Sequence, residues 1–386
     1  MAKNKKTSVG RRGFLTGAAA LVATAQSGSP LNAGVQNSPA PTALDEWLSQ
    51  TKEDAIEPQL PIIDPHHHLW NTPERDPQKY LLAQLAADVK GQNVRQTVFI
   101  ECGSMYRADG PEEFRVVGET EFVQGIAAES ASGRYGDLRA AAGIVGTVDM
   151  RLGDRAVPVL EAHIAASRNR FRGIRHGGAW TEPGVLPTAA ATPRLAHRPA
   201  IVQHLLLDSN FRRAYAYLQN YGLTFEGWVY HPQIPELTDL AKAFPDTTIV
   251  FNHLGGPIGV GPYAGRRDEV FAGWKTAVAD LAKCPNVVAK VGGIQMVVNG
   301  YGWHERKHPP TSDELLSANR DWYLYTIDHF GPSRCMFESN FPVDRLSCSY
   351  TAVWNQFKKL TKDFSVTERS AMFHDTAMRV YRLPRH

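Results

Sequence analysis

"IIDPHHHLW", residues 62–70, sets three consecutive histidines behind a short apolar run, in a chain of 386 residues that holds 14 histidines. Ile62 and Ile63 read as the body of a buried strand and the histidines as its carboxyl end. In an extended chain successive side chains leave on opposite faces, so His66 and His68 share a face and His67 takes the other. The fold then turns on whether other strands bring their ends to the same place.

Short apolar runs do recur along the chain. "PIID" (61–64), "QTVFIE" (96–101), "LRAAAGIVG" (138–146), "FRGIRH" (171–176), "TFEGWVY" (224–230), "TTIVFNH" (247–253), "NVVAKVGG" (286–293) and "RCMFESN" (334–340) make eight candidate strands. Between them, stretches such as "LLAQLAADVKG", "GETEFVQGIAAES", "DRAVPVLEAHIAAS", "IPELTDLAKAF", "DEVFAGWKTAVADLAK" and "DWYLYTIDHFG" carry apolar residues three or four apart, as helices with one buried face do. Eight alternations predict an α/β fold, a (β/α)8 TIM barrel forming a single domain over residues 60–384. No GxGxxG follows the first strand to argue for a nucleotide-binding sheet. The longest connections follow strands four, six and seven, on the carboxyl side where barrel enzymes keep their active-site loops.

Residues 1–25 have the layout of an export signal: Lys3, Lys5, Lys6, Arg11 and Arg12 form a basic head, Gly13 to Val22 a weakly apolar stretch, and Ala23-Thr24-Ala25 a small-residue cleavage site. Paired arginines before Gly13-Phe14-Leu15 resemble a twin-arginine signal, although Gly10 stands where Ser or Thr is usual, and an ordinary secretory signal is the alternative. The expected destination is the periplasm or another exported location, reached through the twin-arginine export machinery. Removing these residues takes away five basic groups and no acidic one, so the formal charge of +3 becomes −2. The mature chain therefore offers no electrostatic footprint for nucleic acid, and no later segment is long and apolar enough for a membrane span. Residues 26–59, rich in Ser, Pro, Ala and Gln, read as a flexible lead-in. Cys102, Cys284, Cys335 and Cys348 are widely spaced with no CxxC pair, which fits small buried hydrophobes better than a disulfide framework or a zinc ribbon.

His176, His231 and His253 close or follow the fourth, fifth and sixth runs, so four of the eight candidate strands end in histidine. Each alone reads equally well as a loop histidine. Together, at the rim of one barrel, they predict convergence. A divalent transition ion takes imidazole nitrogens from separate strands and keeps a position open for water.

"DPHHHLW", "GIRH", "YHPQIPEL", "VFNHLGGPIG", "NVVAKVGG" and "MFESNFPVD" resemble, in order and spacing, the amidohydrolase superfamily. The likeness is to its branch of TIM-barrel hydrolases with sugar lactonases, pyrone dicarboxylate lactonase and sulfomuconolactone hydrolase, and it covers residues 60–384. It implies that His66 and His68 occupy the HxH position of strand one, His231 the strand-five position and His253 the strand-six position, as ligands of a divalent metal. Zinc is the first expectation, manganese or no metal the alternatives, since members of the branch differ in their need for one. Asn340 stands where most members carry a catalytic aspartate at the end of strand eight. An asparagine cannot act as a general base at ordinary pH. Glu338, Asp344 and Glu101 are the carboxylates that could replace it; each also reads as a structural carboxylate.

The reaction expected on this basis is the opening of a lactone of a sugar acid or carboxylated ring. A metal would polarise the carbonyl and acidify a bound water, a carboxylate would take the water's proton, and a cation or imidazole would steady the oxyanion. Arg175 and His176 are candidates for that last role, but adjacent strand residues face opposite ways and only one can look inward. Lys290 is a weaker candidate of the same kind. Arg107, Arg175, Arg266, Trp303 and His304 are candidate substrate contacts, suited to a small anionic molecule or equally to solvated loops. A non-oxidative decarboxylase on the same barrel, or a binding protein that has lost its chemistry, are the competing functions.

Overall fold

All eight runs form strands, each paired in parallel with the next: β1 (Ile62–His67), β2 (Val94–Ile100), β3 (Arg139–Gly146), β4 (Phe171–Ile174), β5 (Thr224–Gly227), β6 (Ile249–Phe251), β7 (Val287–Gly292) and β8 (Cys335–Glu338). Beyond the last rung the ribbon meets its own beginning. The Asn340 N–H donates to the His66 carbonyl at 3.0 Å and the His68 N–H to the Phe341 carbonyl at 2.7 Å. The computed structural model describes residues 42–71, 79–187 and 197–385, which fall in the unit from Pro41 to His386. The expected export signal, the lead-in up to residue 41 and residues 188–196 of the loop after strand four lie outside the described residues.

Side-chain alternation sorts the strands into two packing zones. Ile63, Val98, Val145, Val250, Val288 and Met336 turn into the barrel and pack with Ala377, Val380, Tyr381 and Leu383, which plug its floor. Their strand neighbours Ile62, Phe99, Ile144, Phe251, Val287, Ala289 and Phe337 belong to the larger outer core shared with the helices. Burying one such side chain contributes roughly 1.5–3 kcal/mol, so the two zones hold the strands from both sides.

The helices are α1 (Ala43–Leu48), α2 (Leu82–Asp88), α3 (Val117–Ala131), α4 (Val157–Ala166), α5 (Ser209–Asn220), α6 (Ile234–Ala243), α7 (Arg267–Ala282), α8 (Ser312–Phe330), α9 (Tyr350–Leu360), α10 (Val366–Ser370) and α11 (Thr376–Val380). Each stretch predicted to be helical overlaps one of them. Helix α8 begins well before "DWYLYTIDHFG" because Thr311 and Glu314 form a capping box there, satisfying backbone donors that the helix itself leaves open.

The expectation of a flexible lead-in fails for residues 42–59. Helix α1 starts on its own capping box, Thr42 with Asp45. The Trp47 indole donates to the Arg306 carbonyl at 2.9 Å, the Thr51 hydroxyl to the Pro309 carbonyl at 2.8 Å, and Lys358 to the Ile56 carbonyl at 2.6 Å. Glu53 accepts from the Ser312 hydroxyl at 2.6 Å. Composition alone cannot reveal this, because the partners are backbone carbonyls of the loop after β7 and the Lys358 side chain of α9, some 250 to 300 residues away in sequence.

Candidate active site

Two residues past Val288 and Met336, and therefore on the same inward face, stand Lys290 and Glu338. Glu226 joins them from β5 and Arg175 from the first position after β4. His66 completes the layer from β1, where a register shift between Asp64 and His67 lets both Ile63 and His66 turn inward. These five side chains are buried: His66, Glu226, Lys290 and Glu338 are each 0% exposed and Arg175 4%.

Their contacts form one network. His66 Nδ1 lies 2.8 Å from Glu338 Oε2 and 3.2 Å from Lys290 Nζ, while its Nε2 lies 3.4 Å from Arg175 Nη1. Glu338 Oε1 accepts the backbone N–H of His253 at 3.2 Å and lies 2.8 Å from its Nδ1. Lys290 donates to Glu226 Oε2 at 2.8 Å, and Arg175 donates through Nε to Glu101 Oε1 at 2.7 Å. One carboxylate is thus clasped by two imidazoles, and one imidazole sits between two cations. His253 reaches its place from a left-handed backbone (φ 50°), and the facing Gly293 (φ 66°) leaves room for it. A Cβ at Gly293 would overlap the His253 ring.

Electrostatics keeps these imidazoles neutral. Burial drives His66 well below its ordinary pKa, and Lys290 and the neighbouring histidines add to the effect. His68 is likewise driven well down by burial and then by Arg175; its Nδ1 lies 2.8 Å from the Ile100 carbonyl, a donor contact that leaves Nε2 a lone pair. Burial also lowers His253, with the Glu338 charge opposing it. Lys290 is lowered by burial against the pull of Glu226 and Glu338. Burial alone would raise Glu101, but Arg198 and Arg175 together hold it below the usual carboxylate range.

Of the four histidines expected to hold an ion, two converge. His66, His253 and Glu338 offer ligand atoms within 4.8 Å of one another. His68 stands beside them, its ring centroid 5.0 Å from that of His66, and outside that trio. His231 is elsewhere: β5 ends at Gly227, so His231 opens a short 3-10 turn on the loop, where Nδ1 accepts the Ile258 N–H at 3.2 Å and the ring meets Tyr263 edge-on at 5.0 Å. Burial alone takes its pKa down to about 4. His67 points outward, as the alternation predicts, with Nε2 2.8 Å from the Thr97 hydroxyl.

The choice between Arg175 and His176 also resolves. Arg175 is the inward residue; the expectation of His176 as a catalytic group is corrected. His176 accepts the Met150 N–H at Nδ1 (3.2 Å), faces the Ala200 carbonyl through Nε2 (3.2 Å) and packs beside Phe211. Strand β4 stops at Ile174, which puts Arg175 at the rim. Asn340 and Asp344 are occupied with each other: the Asn340 amide donates to Asp344 Oδ1 at 2.9 Å, and Asp344 Oδ2 accepts the Gln295 N–H at 3.2 Å. Burial holds the Asp344 carboxyl well above its ordinary pKa. Asn340 has φ 56°, a conformation asparagine tolerates better than most residues, so it serves the turn that closes the barrel. Glu101 anchors Arg175 and, at 2.7 Å, Arg198.

The expected substrate contacts on the loops are engaged elsewhere. Arg107 pairs with Glu121 and Arg266 with Glu269 at the exposed surface. The Trp303 indole donates to Gln295 at 2.9 Å and stacks on Tyr301, and His304 lies 3.7 Å from Glu305. Sequence reasoning passed over Glu226, Arg198 and Tyr381. For Glu226 a signal existed: a barrel-interior Lys290 demands a buried carboxylate, and "TFEGWVY" contains one at an inward position.

The family model described as Amidohydrolase matches residues 63–383. The chain belongs to the amidohydrolase family. This amidohydrolase is 33% identical over 343 residues to the uncharacterized protein y4mH of Sinorhizobium fredii, covering 84% of this chain and 99% of the relative. It is 29% identical over 245 residues to an L-fucono-1,5-lactonase of Burkholderia multivorans, covering 63% of this chain and 72% of that one. A crystal structure of a Burkholderia multivorans amidohydrolase with bound zinc aligns with a TM-score of 0.62 at 25% identity, covering 84% of this chain and 99% of the other.

Amidohydrolases are in general metal-dependent, and the residues here fit an ion by donor chemistry. Two neutral imidazoles and a carboxylate, buried and within 4.8 Å of one another, are the donor types that divalent zinc takes. Lys290 and Arg175 stand beside His66, one at each ring nitrogen.

Proposed function

We propose that this amidohydrolase opens a lactone of a sugar acid by water attack at the barrel mouth, with a divalent ion, zinc by preference, held by His66, His253 and Glu338. The observation that carries this reading is the buried Glu338 carboxylate gripped by two imidazoles at the carboxyl ends of the strands, with Arg175 and Lys290 beside one of them, His66. The likeness to an L-fucono-1,5-lactonase supports it. When bound, the ion would polarise the carbonyl and acidify water.

The chain's own residues account for the rest of the chemistry. Glu338 takes the proton from the attacking water, its two oxygens held in orientation by His66 and His253. Arg175 and Lys290 place positive charge beside His66, where the carbonyl oxygen becomes negative in the tetrahedral intermediate. As the intermediate collapses, the ring C–O bond breaks and the proton held by Glu338 passes to the departing ring oxygen, giving a hydroxy acid. The loop arginines Arg107 and Arg266 already have carboxylate partners, which favours a neutral polyhydroxylated lactone over a carboxylated ring.

A panel of sugar-acid lactones assayed by acid release, before and after chelation, with aromatic acids assayed in parallel for carbon dioxide, tests the reading. Ring opening that falls on chelation and returns with zinc is expected. Carbon dioxide release without ring opening would replace it with a decarboxylase, and lactone binding without turnover with a binding protein. Export through a twin-arginine signal is a separate proposal, checked by whether the mature protein is found outside the cytoplasm only while Arg11 and Arg12 are intact.

A further inference from the structure

We propose that Tyr381, a residue of the floor plug, is a positioning residue of the mouth and acts through Glu226 on Lys290. Tyr381 is 0% exposed and packed among the apolar residues of the barrel interior. A phenylalanine would fill that space without bringing a hydroxyl into it. The hydroxyl is accounted for by Glu226: it donates to Glu226 Oε1. The other oxygen, Oε2, accepts Lys290 Nζ at 2.8 Å and the Asn252 amide at 2.5 Å. Lys290 Nζ in turn lies 3.2 Å from His66 Nδ1 and 5.5 Å from the centroid of the Tyr381 ring.

The line Tyr381–Glu226–Lys290–His66 therefore runs up the barrel axis from floor to reacting layer, with every member buried. A carboxylate held through one oxygen only can rotate about its last bond. Fixing Oε1 from below decides where Oε2 stands, and Oε2 decides where the Lys290 ammonium stands relative to His66. Groups behind the reacting layer orient it in this way even though they never touch substrate. The C-terminal turn is thus part of the site's support as well as a stopper for the barrel.

The kinetic consequence rests on the lactone-opening reading; the structural link does not, and the test separates them. Tyr381→Phe keeps the packing ring and removes the hydroxyl. Its kcat on the lactone is expected to fall at least about tenfold, with KM and the circular-dichroism spectrum unchanged. An unchanged kcat would overturn the proposal. Independently of any substrate, urea midpoints are measured for Tyr381→Phe, Lys290→Met and the double variant, with Glu226→Gln replacing Lys290→Met if the latter fails to fold. Shifts that do not add are expected, since both residues act on one carboxylate; additive shifts would overturn the link. If the wild-type protein opens no lactone, the lactonase reading falls and the midpoints still decide the link.

Discussion

Two layers of the same barrel, one step apart along the same strands, have opposite chemistry. On β7 and β8 the lower inward positions are Val288 and Met336, and the upper ones are Lys290 and Glu338. Both layers are excluded from water. In the lower one exclusion stabilises, because apolar surface is removed from solvent. In the upper one it costs free energy, since buried charges lose their hydration and are tolerated only when paired. The upper layer gives each charge a partner: Lys290 pairs with Glu226 and Arg175 with Glu101, while Glu338 has the polar contacts of two neutral imidazoles. A fold that needed only stability could have continued the apolar stack; the departure marks where the chemistry is.

The comparison breaks most visibly if the layers do not separate activity from stability. Glu338→Gln keeps the shape of the side chain and removes the base, so lactone opening should drop by about a hundred- to ten-thousandfold while the far-UV spectrum stays that of the wild type. Met336→Ala, one layer down, should do the reverse. It should lower unfolding free energy by about 2–5 kcal/mol in urea titration and leave kcat within the range of the wild type.

A third test uses a histidine buried for structure alone. His163 is enclosed between the Thr120 hydroxyl (2.8 Å) and the Thr147 carbonyl (2.9 Å), and burial depresses its pKa from 6.5 to about 4. Below pH 6.5 the unfolded chain binds a proton there that the folded chain refuses. Stability contributed by the neutral ring is therefore full above pH 6.5, declines as pH falls towards about 4, and levels off below it. The loss amounts to about 3 kcal/mol across that window. His163→Gln should flatten that part of the stability profile, measured by urea midpoints at stepped pH. The smallest effect is expected of His231→Ala. Because His231 lies outside the cluster, kcat/KM should stay within about twofold of the wild type, the scale of ~0.5 kcal/mol.

Much of this was legible beforehand. Eight apolar runs with amphipathic stretches between them carry their own periodicity, so the barrel and the shared face of His66 and His68 could be read directly. What failed did so at strand ends. "TFEGWVY" and "TTIVFNH" read as strands to their last residues, yet β5 stops at Gly227 and β6 at Phe251, because pairing, which the sequence does not display, ends there. That shift removed His231 from the cluster, and the stop at Ile174 exchanged His176 for Arg175. Tyr381 was beyond reach for another reason: its partner Glu226 is 155 positions away, and nothing local in a C-terminal helical turn distinguishes a tyrosine that reaches into a barrel from one that packs on its outside. The lead-in residues 42–59 belong with it, held by hydrogen bonds to groups far away in sequence.

The most direct measurement is a crystal structure of Glu338→Gln soaked with a sugar lactone that the wild-type protein opens. The account predicts unopened lactone at the strand ends, its carbonyl carbon facing residue 338 and its carbonyl oxygen towards Arg175 and Lys290. Lactone bound only away from His66 and His253, for example in the polar cleft lined by Asp45, Asp88 and Arg345, would contradict it.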